Sequence, residues 1–218
     1  MKNLLKKEFA LCLHPTAILF LFLAFLVFVP NYPYEVVFFF SGLSIFFISL
    51  TARENGDLAF TCGLPVKKSY VPLARILMAV MLQCALFFMT ALAIAIKEIV
   101  FPAEMQVNLA GSAANVALLG HGALILGAFN LIFFPMHFQD PQKVGIPFVI
   151  ATVAMYALIG ITIVLRWTVP FFSETVNTTD PANLGAKFAI FGIGLALYII
   201  FTFLAARLSM RRFEKVDF

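Results

Sequence analysis

The sequence predicts an all-α integral membrane protein, with six transmembrane helices, an N-terminal interfacial helix and one short cytoplasmic helix. Three observations carry the prediction. Hydrophobic residues make up 62% of the 218 and charged residues 12%, with a mean hydropathy of +1.00; so little polar surface cannot cover a soluble globule. Apolar runs near the ~20 residues needed to cross a bilayer recur along the chain. Lys and Arg gather on alternate connections between those runs, as the positive-inside bias requires.

Taken in order, Met1 to Leu13 sets Asn3, Lys6 and Lys7 on one side and Leu4, Leu5, Phe9 and Leu11 toward the other, with Glu8 interrupting the apolar face. It reads as a helix lying in the interface over residues 1–13. The spans follow at 15–30, 35–51, 73–96, 112–136, 146–165 and 188–206. The first is short, is bounded by Pro15 and Pro30, and enters through His14 with a bend. A cleavable signal peptide is the competing reading, but no small-residue cleavage site follows Val29. Ala113, Ala117, Gly120, Ala123 and Gly127 recur at helical spacing, as do Gly185, Ala189, Gly192 and Ala196, and such ridges let membrane helices approach closely. The 27 Phe residues are expected to face mostly lipid, with a minority lining a path.

With the N-terminus inside, twelve cationic residues lie on the cytoplasmic side: Lys2, Lys6, Lys7, Arg53, Lys67, Lys68, Arg75, Lys143, Arg207, Arg211, Arg212 and Lys215. Lys97, Arg166 and Lys187 remain outside. Both termini and the loops at 53–72 and 137–145 are therefore expected in the cytoplasm, and the 167–183 loop outside. The net charge of +4 describes orientation and attraction to anionic headgroups, and supplies no case for nucleic-acid binding.

The loop from Arg53 to Ser69 concentrates the turn chemistry. Asp57 is expected to cap a short helix, Gly63 to close it in a left-handed turn and Pro65 to forbid its continuation. Ser69 then precedes the next long helix, whose first turn tolerates Pro72. A second cytoplasmic contact is read at Phe134 to Gly145, with His137, Gln139, Asp140 and Lys143 as its polar residues; an ordinary Pro-stopped turn is the alternative. Outside, Trp167 is interfacial, and Asn177-Thr178-Thr179 is a formal glycosylation sequon with no meaning in a bacterial protein.

Several chemistries lack their residues. The span interiors are read as free of Asp, Glu, Lys and Arg, which disfavours an ion-coupled carrier. His121 is read as an interhelical hydrogen-bond partner. His14, His121 and His137 have no carboxylate at metal-site spacing, so neither a metal nor a catalytic residue is assigned. Cys12, Cys62 and Cys84 imply no disulfide framework. Gly122 to Gly127 is followed by Ala128 where a phosphate-cradling loop needs Lys.

The interfacial helix, six spans, the pattern Glu54-x-x-Asp57 followed by Leu64-Pro65-Val66-Lys67-Lys68-x-x-Val71, and Phe134-Pro135-x-x-Phe138 together resemble permease subunits of bacterial type-2 ATP-binding-cassette (ABC) exporters over nearly the whole chain. The resemblance implies a single transmembrane domain over 1–218 in the cytoplasmic (inner) membrane, with a coupling helix at Glu54 to Cys62 that docks on an ATPase subunit. It assigns ATPase coupling to Glu54, Asp57, Leu58, Phe60, Thr61, Leu64, Pro65, Lys67 and Lys68. It also implies two ATPase subunits, which bind ATP and Mg while this chain binds no cofactor, and a second membrane subunit, identical or paralogous. Export of a hydrophobic or amphipathic cargo, such as a peptide toxin or antimicrobial peptide, is the expected function. The alternative is an ATPase-independent membrane enzyme or pore.

Overall fold

A computed structural model describes residues 1–100, 108, 111–178 and 183–216, and all of the regular structure among them is helical. We number the helices α1 (Lys2–Leu11), α2 (Pro15–Leu21), α3 (Val37–Glu54), α4 (Asp57–Cys62), α5 (Tyr70–Val100), α6 (Val116–His137), α7 (Gly145–Thr168) and α8 (Leu184–Phe213). Five helices are long and apolar enough to cross a membrane: α3 with its 3₁₀ lead-in, α5, α6, α7 and α8. The sixth candidate is a bent pair, Lys2–Leu11 and Pro15–Phe28, which meet at 92°.

That bend has a local cause. A residue before proline is pushed into extended backbone, and His14 sits at φ −80°, ψ 140°, where its side chain accepts the Thr16 amide and caps α2. The chain therefore turns sharply within the three residues between α1 and α2. Beyond α2 it tightens into a 3₁₀ segment, Phe22–Phe28. Seven α and seven 3₁₀ residues reach about 25 Å, close to the hydrocarbon thickness despite the small residue count. Thr179, the third residue of the sequon, lies outside the described residues.

The long α5 carries basic side chains inward near both ends. Arg75 and Lys97 are buried, and their separation of 22 residues spans about 33 Å of helix, so they mark its two interfaces. Lys97 donates to the Val27 carbonyl at 2.9 Å and to the Tyr34 hydroxyl. On the same side Glu35 and Arg166 form a buried ion pair, completed by Ser112, which donates to Glu35 at 2.7 Å and accepts from Arg166 at 2.7 Å.

Between these layers the core is aromatic and close-packed. Phe38, Phe129, Phe133, Phe134, Phe138 and Phe213 are among its largest fully buried side chains, and Phe129 stacks on Phe133 at 5.1 Å. The Phe residues thus supply packing as well as a lipid-facing surface. A polar group is buried here too. Gln83 and Asn130 exchange two hydrogen bonds at 2.9 Å, Tyr198 donates to Gln83 at 2.7 Å, and Asn130 donates to Thr202 at 3.0 Å, so α5, α6 and α8 are tied together.

The α6 and α8 backbones touch. A Cβ on Gly194 would fall 2.1 Å from the Gly120 oxygen, and one on Gly127 would fall 2.9 Å from the Tyr198 Cα. Of the small residues expected on α6, Gly120 and Gly127 serve this contact. Those expected on α8 do not: Gly185, Ala189, Gly192 and Ala196 are all exposed, and a Cβ on Gly185 or Gly192 would meet open space. The packed face of α8 is the one bearing Gly194 and Tyr198.

Candidate functional site

The short helix α4 forms where the turn residues require it, but by different means from those expected. Its N-cap is Gly56, in the left-handed region at φ 62°, and Asp57 is the first helical residue and makes no capping hydrogen bond. Gly63 lies at φ −75°, an ordinary right-handed value. The left-handed turn therefore precedes the helix, where it reverses the chain out of α3. Glu54 is the last residue of α3 and lies outside α4.

Freed from capping, the Asp57 carboxylate anchors the helix. It accepts Lys7 Nζ at 2.8 and 2.9 Å and Arg75 Nη2 at 2.9 Å. Arg75 also pairs with Glu8, whose other oxygen lies 2.8 Å from Lys7 Nζ. Thr61 accepts from Lys7 at 2.9 Å and donates to the Asp57 carbonyl at 2.7 Å. Two cations and two carboxylates thus close a neutral ring joining α1, α4 and α5, with Glu8, Asp57, Thr61 and Arg75 all buried. Such a group is tolerable in a low dielectric because every charge has its opposite within contact distance. Burial penalises the Lys7 ammonium, yet Glu8 and Asp57 outweigh that and hold its pKa above the ordinary value.

Cys12 lies against the ring, with its sulfur 3.3 Å from Arg75 Nη2. Glu8, Cys12 and Asp57 bring potential metal-ligand atoms within 4.8 Å of one another, but the chemistry does not suit a cation. The carboxylates are neutralised by Lys7 and Arg75, and burial pushes the Cys12 thiol up to about 12, so it is held protonated.

The predicted coupling residues divide into two sets. Asp57, Leu58 and Thr61 point inward and are buried, whereas Glu54, Phe60, Leu64, Pro65 and Lys67 are exposed. Phe60 is 60% exposed and Leu64 39%. Lys68 is half-buried and donates to the Val216 carbonyl at 3.1 Å, which ties the loop to the C-terminal segment.

The second predicted contact is smaller than expected. His137 is buried, stacks on Phe133 at 5.5 Å, and has no hydrogen-bond partner at either ring nitrogen among the described residues; it packs as a core residue. The helix runs through Pro135 to His137, so the proline does not stop it. Asp140 and Lys143 form an exposed pair at 2.9 Å, in which the Lys143 hydrogen bond holds the Asp140 pKa below its ordinary value. Gln139 accepts from Arg212 at 2.9 Å, and Arg53 donates to the Gln142 carbonyl at 3.4 Å, linking the two loops.

His121 makes no hydrogen bond among the described residues. It lines an apolar cavity of about 220 Å³ between α6, α7 and α8, and a small polar recess that also includes Glu35 and Arg166. The expected interhelical hydrogen bond is therefore replaced by a cavity wall.

A family model described as ABC-2 family transporter protein matches residues 3–213. The chain belongs to the ABC-2 transporter family. It is a multi-pass membrane protein and the permease component of an ABC-2 transporter, a family in which ATP hydrolysis resides in a partner ATPase subunit. Searches of curated proteins and of solved structures give no match. Sequence reasoning missed Glu8 and Arg75 in this permease. Their signal was charge placed against pattern: an acid on the apolar face of α1, and an Arg one turn inside an otherwise apolar helix.

Proposed function

We propose that this chain is the membrane half of an ATP-driven exporter, a single transmembrane domain over 1–218, and that α4 with the Leu64-Pro65 turn is its ATPase-docking element. The observation that carries the reading is the two-sided character of α4. One face is locked to α1 and α5 by a ring of charges, and the other presents Phe60 and, just beyond it, Leu64. A short helix gripped on one side and exposing an aromatic on the other can pass a push from a partner into the membrane helices. The cationic residues support a cytoplasmic position for this element and for both termini.

Two permease chains, identical or paralogous, and two ATPase subunits carrying ATP and Mg would make the working unit. Closure of the ATPases would move α4 and, through Arg75, α5, so the permease contributes differential contacts and no bond chemistry. Glu54, Pro65 and Lys67 flank the docking face, with Gln139, Asp140 and Lys143 at its edge. The Phe-rich membrane body supports a hydrophobic or amphipathic cargo, including a peptide, exported across a bacterial cytoplasmic membrane. Co-purification with an ABC ATPase subunit co-expressed with the permease tests the docking. Phe60→Asp should abolish recovery of the ATPase while leaving membrane insertion normal, and undiminished recovery would refute the assignment.

A further inference from the structure

The three lysines of α1 have separate fates. Lys7 is consumed by the charge ring, whereas Lys2 and Lys6 are exposed and form no ion pair among the described residues. Four residues apart, they stand one turn above the other on the same face of the helix. That face lines a groove of about 520 Å³, whose remaining walls are Leu5, Phe9, Ala10 and Met81. The nearest acid on α1, Glu8, is turned away into the ring and fully buried. The groove is therefore cationic at its rim and apolar within.

Its orientation matches a lipid. Met81 lies six residues along α5 from Arg75, about 9 Å toward the membrane interior, and is 50% exposed. The groove thus runs from two ammonium groups at the interface down to a thioether facing hydrocarbon. We propose that it binds one anionic phospholipid of the leaflet in which α1 lies, with the phosphate held by Lys2 and Lys6 and an acyl chain laid along Leu5, Phe9 and Met81. A zwitterionic lipid offers the same chain but no net charge to satisfy two lysines. Because the opposite face of α1 holds Asp57, the lipid wedges α1 against the ring that seats α4. The proposal rests on α1 being interfacial and is independent of ATPase docking.

Native mass spectrometry of the full-length permease in neutral detergent, titrated with phosphatidylglycerol, phosphatidylcholine or glycerol 3-phosphate, tests it. One phosphatidylglycerol should bind in preference to phosphatidylcholine. Lys2→Gln with Lys6→Gln should weaken it about fivefold per lysine, or roughly thirtyfold together. Both lysines are exposed, so folding is retained, and thermal unfolding of the variant checks this. Met81→Trp, which fills the apolar end, should weaken phosphatidylglycerol as well, and glycerol 3-phosphate should not displace it. Equal binding by wild type and the Gln variant, equal binding of the two lipids, or displacement by glycerol 3-phosphate would overturn the site. No ATPase is present, so failure here is distinct from failure of the Phe60→Asp experiment.

Discussion

Replacing Asp57 by Asn removes one charge from the ring and almost no volume. The ring then holds Lys7 and Arg75 against Glu8 alone, with Arg75 fully buried and Asp57 only 4% exposed. Removing one partner of a buried ion pair costs about 3–5 kcal/mol, and because Asn keeps a hydrogen-bond acceptor the lower end applies. A loss of about 3 kcal/mol in the docking of α1 against α4 and α5 raises the undocked fraction by roughly two orders of magnitude. Cys12 reports that event. It is fully buried beside Arg75, and its thiol is pushed up to about 12, so in the docked state it is both inaccessible and un-ionised; released, it returns to a thiol pKa near ~8.5. In a Cys62→Ser, Cys84→Ser background at pH 8, maleimide labelling of Cys12 should therefore accelerate about a hundredfold in Asp57→Asn. Adding Lys7→Met restores a balanced Glu8–Arg75 pair and should recover most of the protection. Equal labelling of wild type and Asp57→Asn would refute the account, as would a double variant no better protected than the single.

Gly56→Ala forces a side chain into left-handed backbone at φ 62° and should cost about 1 kcal/mol in thermal stability, whereas Gly63→Ala, at φ −75°, should cost much less. Gly194→Ala would drive a Cβ to 2.1 Å from the Gly120 oxygen and should abolish recovery of folded protein from detergent, while Gly192→Ala, with open space around it, should behave as wild type in size-exclusion chromatography. Gln83→Leu removes the hydrogen bonds that Asn130 and the Tyr198 hydroxyl make to Gln83 between α5, α6 and α8; at about 0.6–1.7 kcal/mol per membrane hydrogen bond, a lowered melting temperature with insertion intact is expected.

The helical membrane architecture and the short α4 were legible because their causes are local. Apolar run length marks a span, and Gly56, Gly63 and Pro65 punctuate the loop whichever of the glycines bends it. What lay beyond reading was partnership at a distance. Glu8 looks like a blemish on an amphipathic face until Arg75, 67 residues later, is placed against it. Asp57 suits a cap by residue type, and only the arrival of two cations explains why it abandons that role. The small residues read on α8 form one ridge, Gly185, Ala189, Gly192 and Ala196, and the choice of Gly194 over Gly192 was made by Gly120 on another helix. His137 was misplaced for a related reason: a polar residue at the end of a span reads as surface, and here Phe133 and Phe138 cover it.

The ring that holds α1 also sets an order of events during synthesis. Lys7 and Glu8 are made before the rest of the ring: Asp57 follows Lys7 by 50 positions and Arg75 follows Glu8 by 67. At about 5–20 residues per second, the buried acid of α1 has only its neighbour Lys7 as a partner until roughly 3–13 s after Glu8 is added to the chain. Until Asp57 and Arg75 arrive the charges of α1 are incompletely matched; afterwards Lys7 and Arg75 are the neutralised halves of a closed ring.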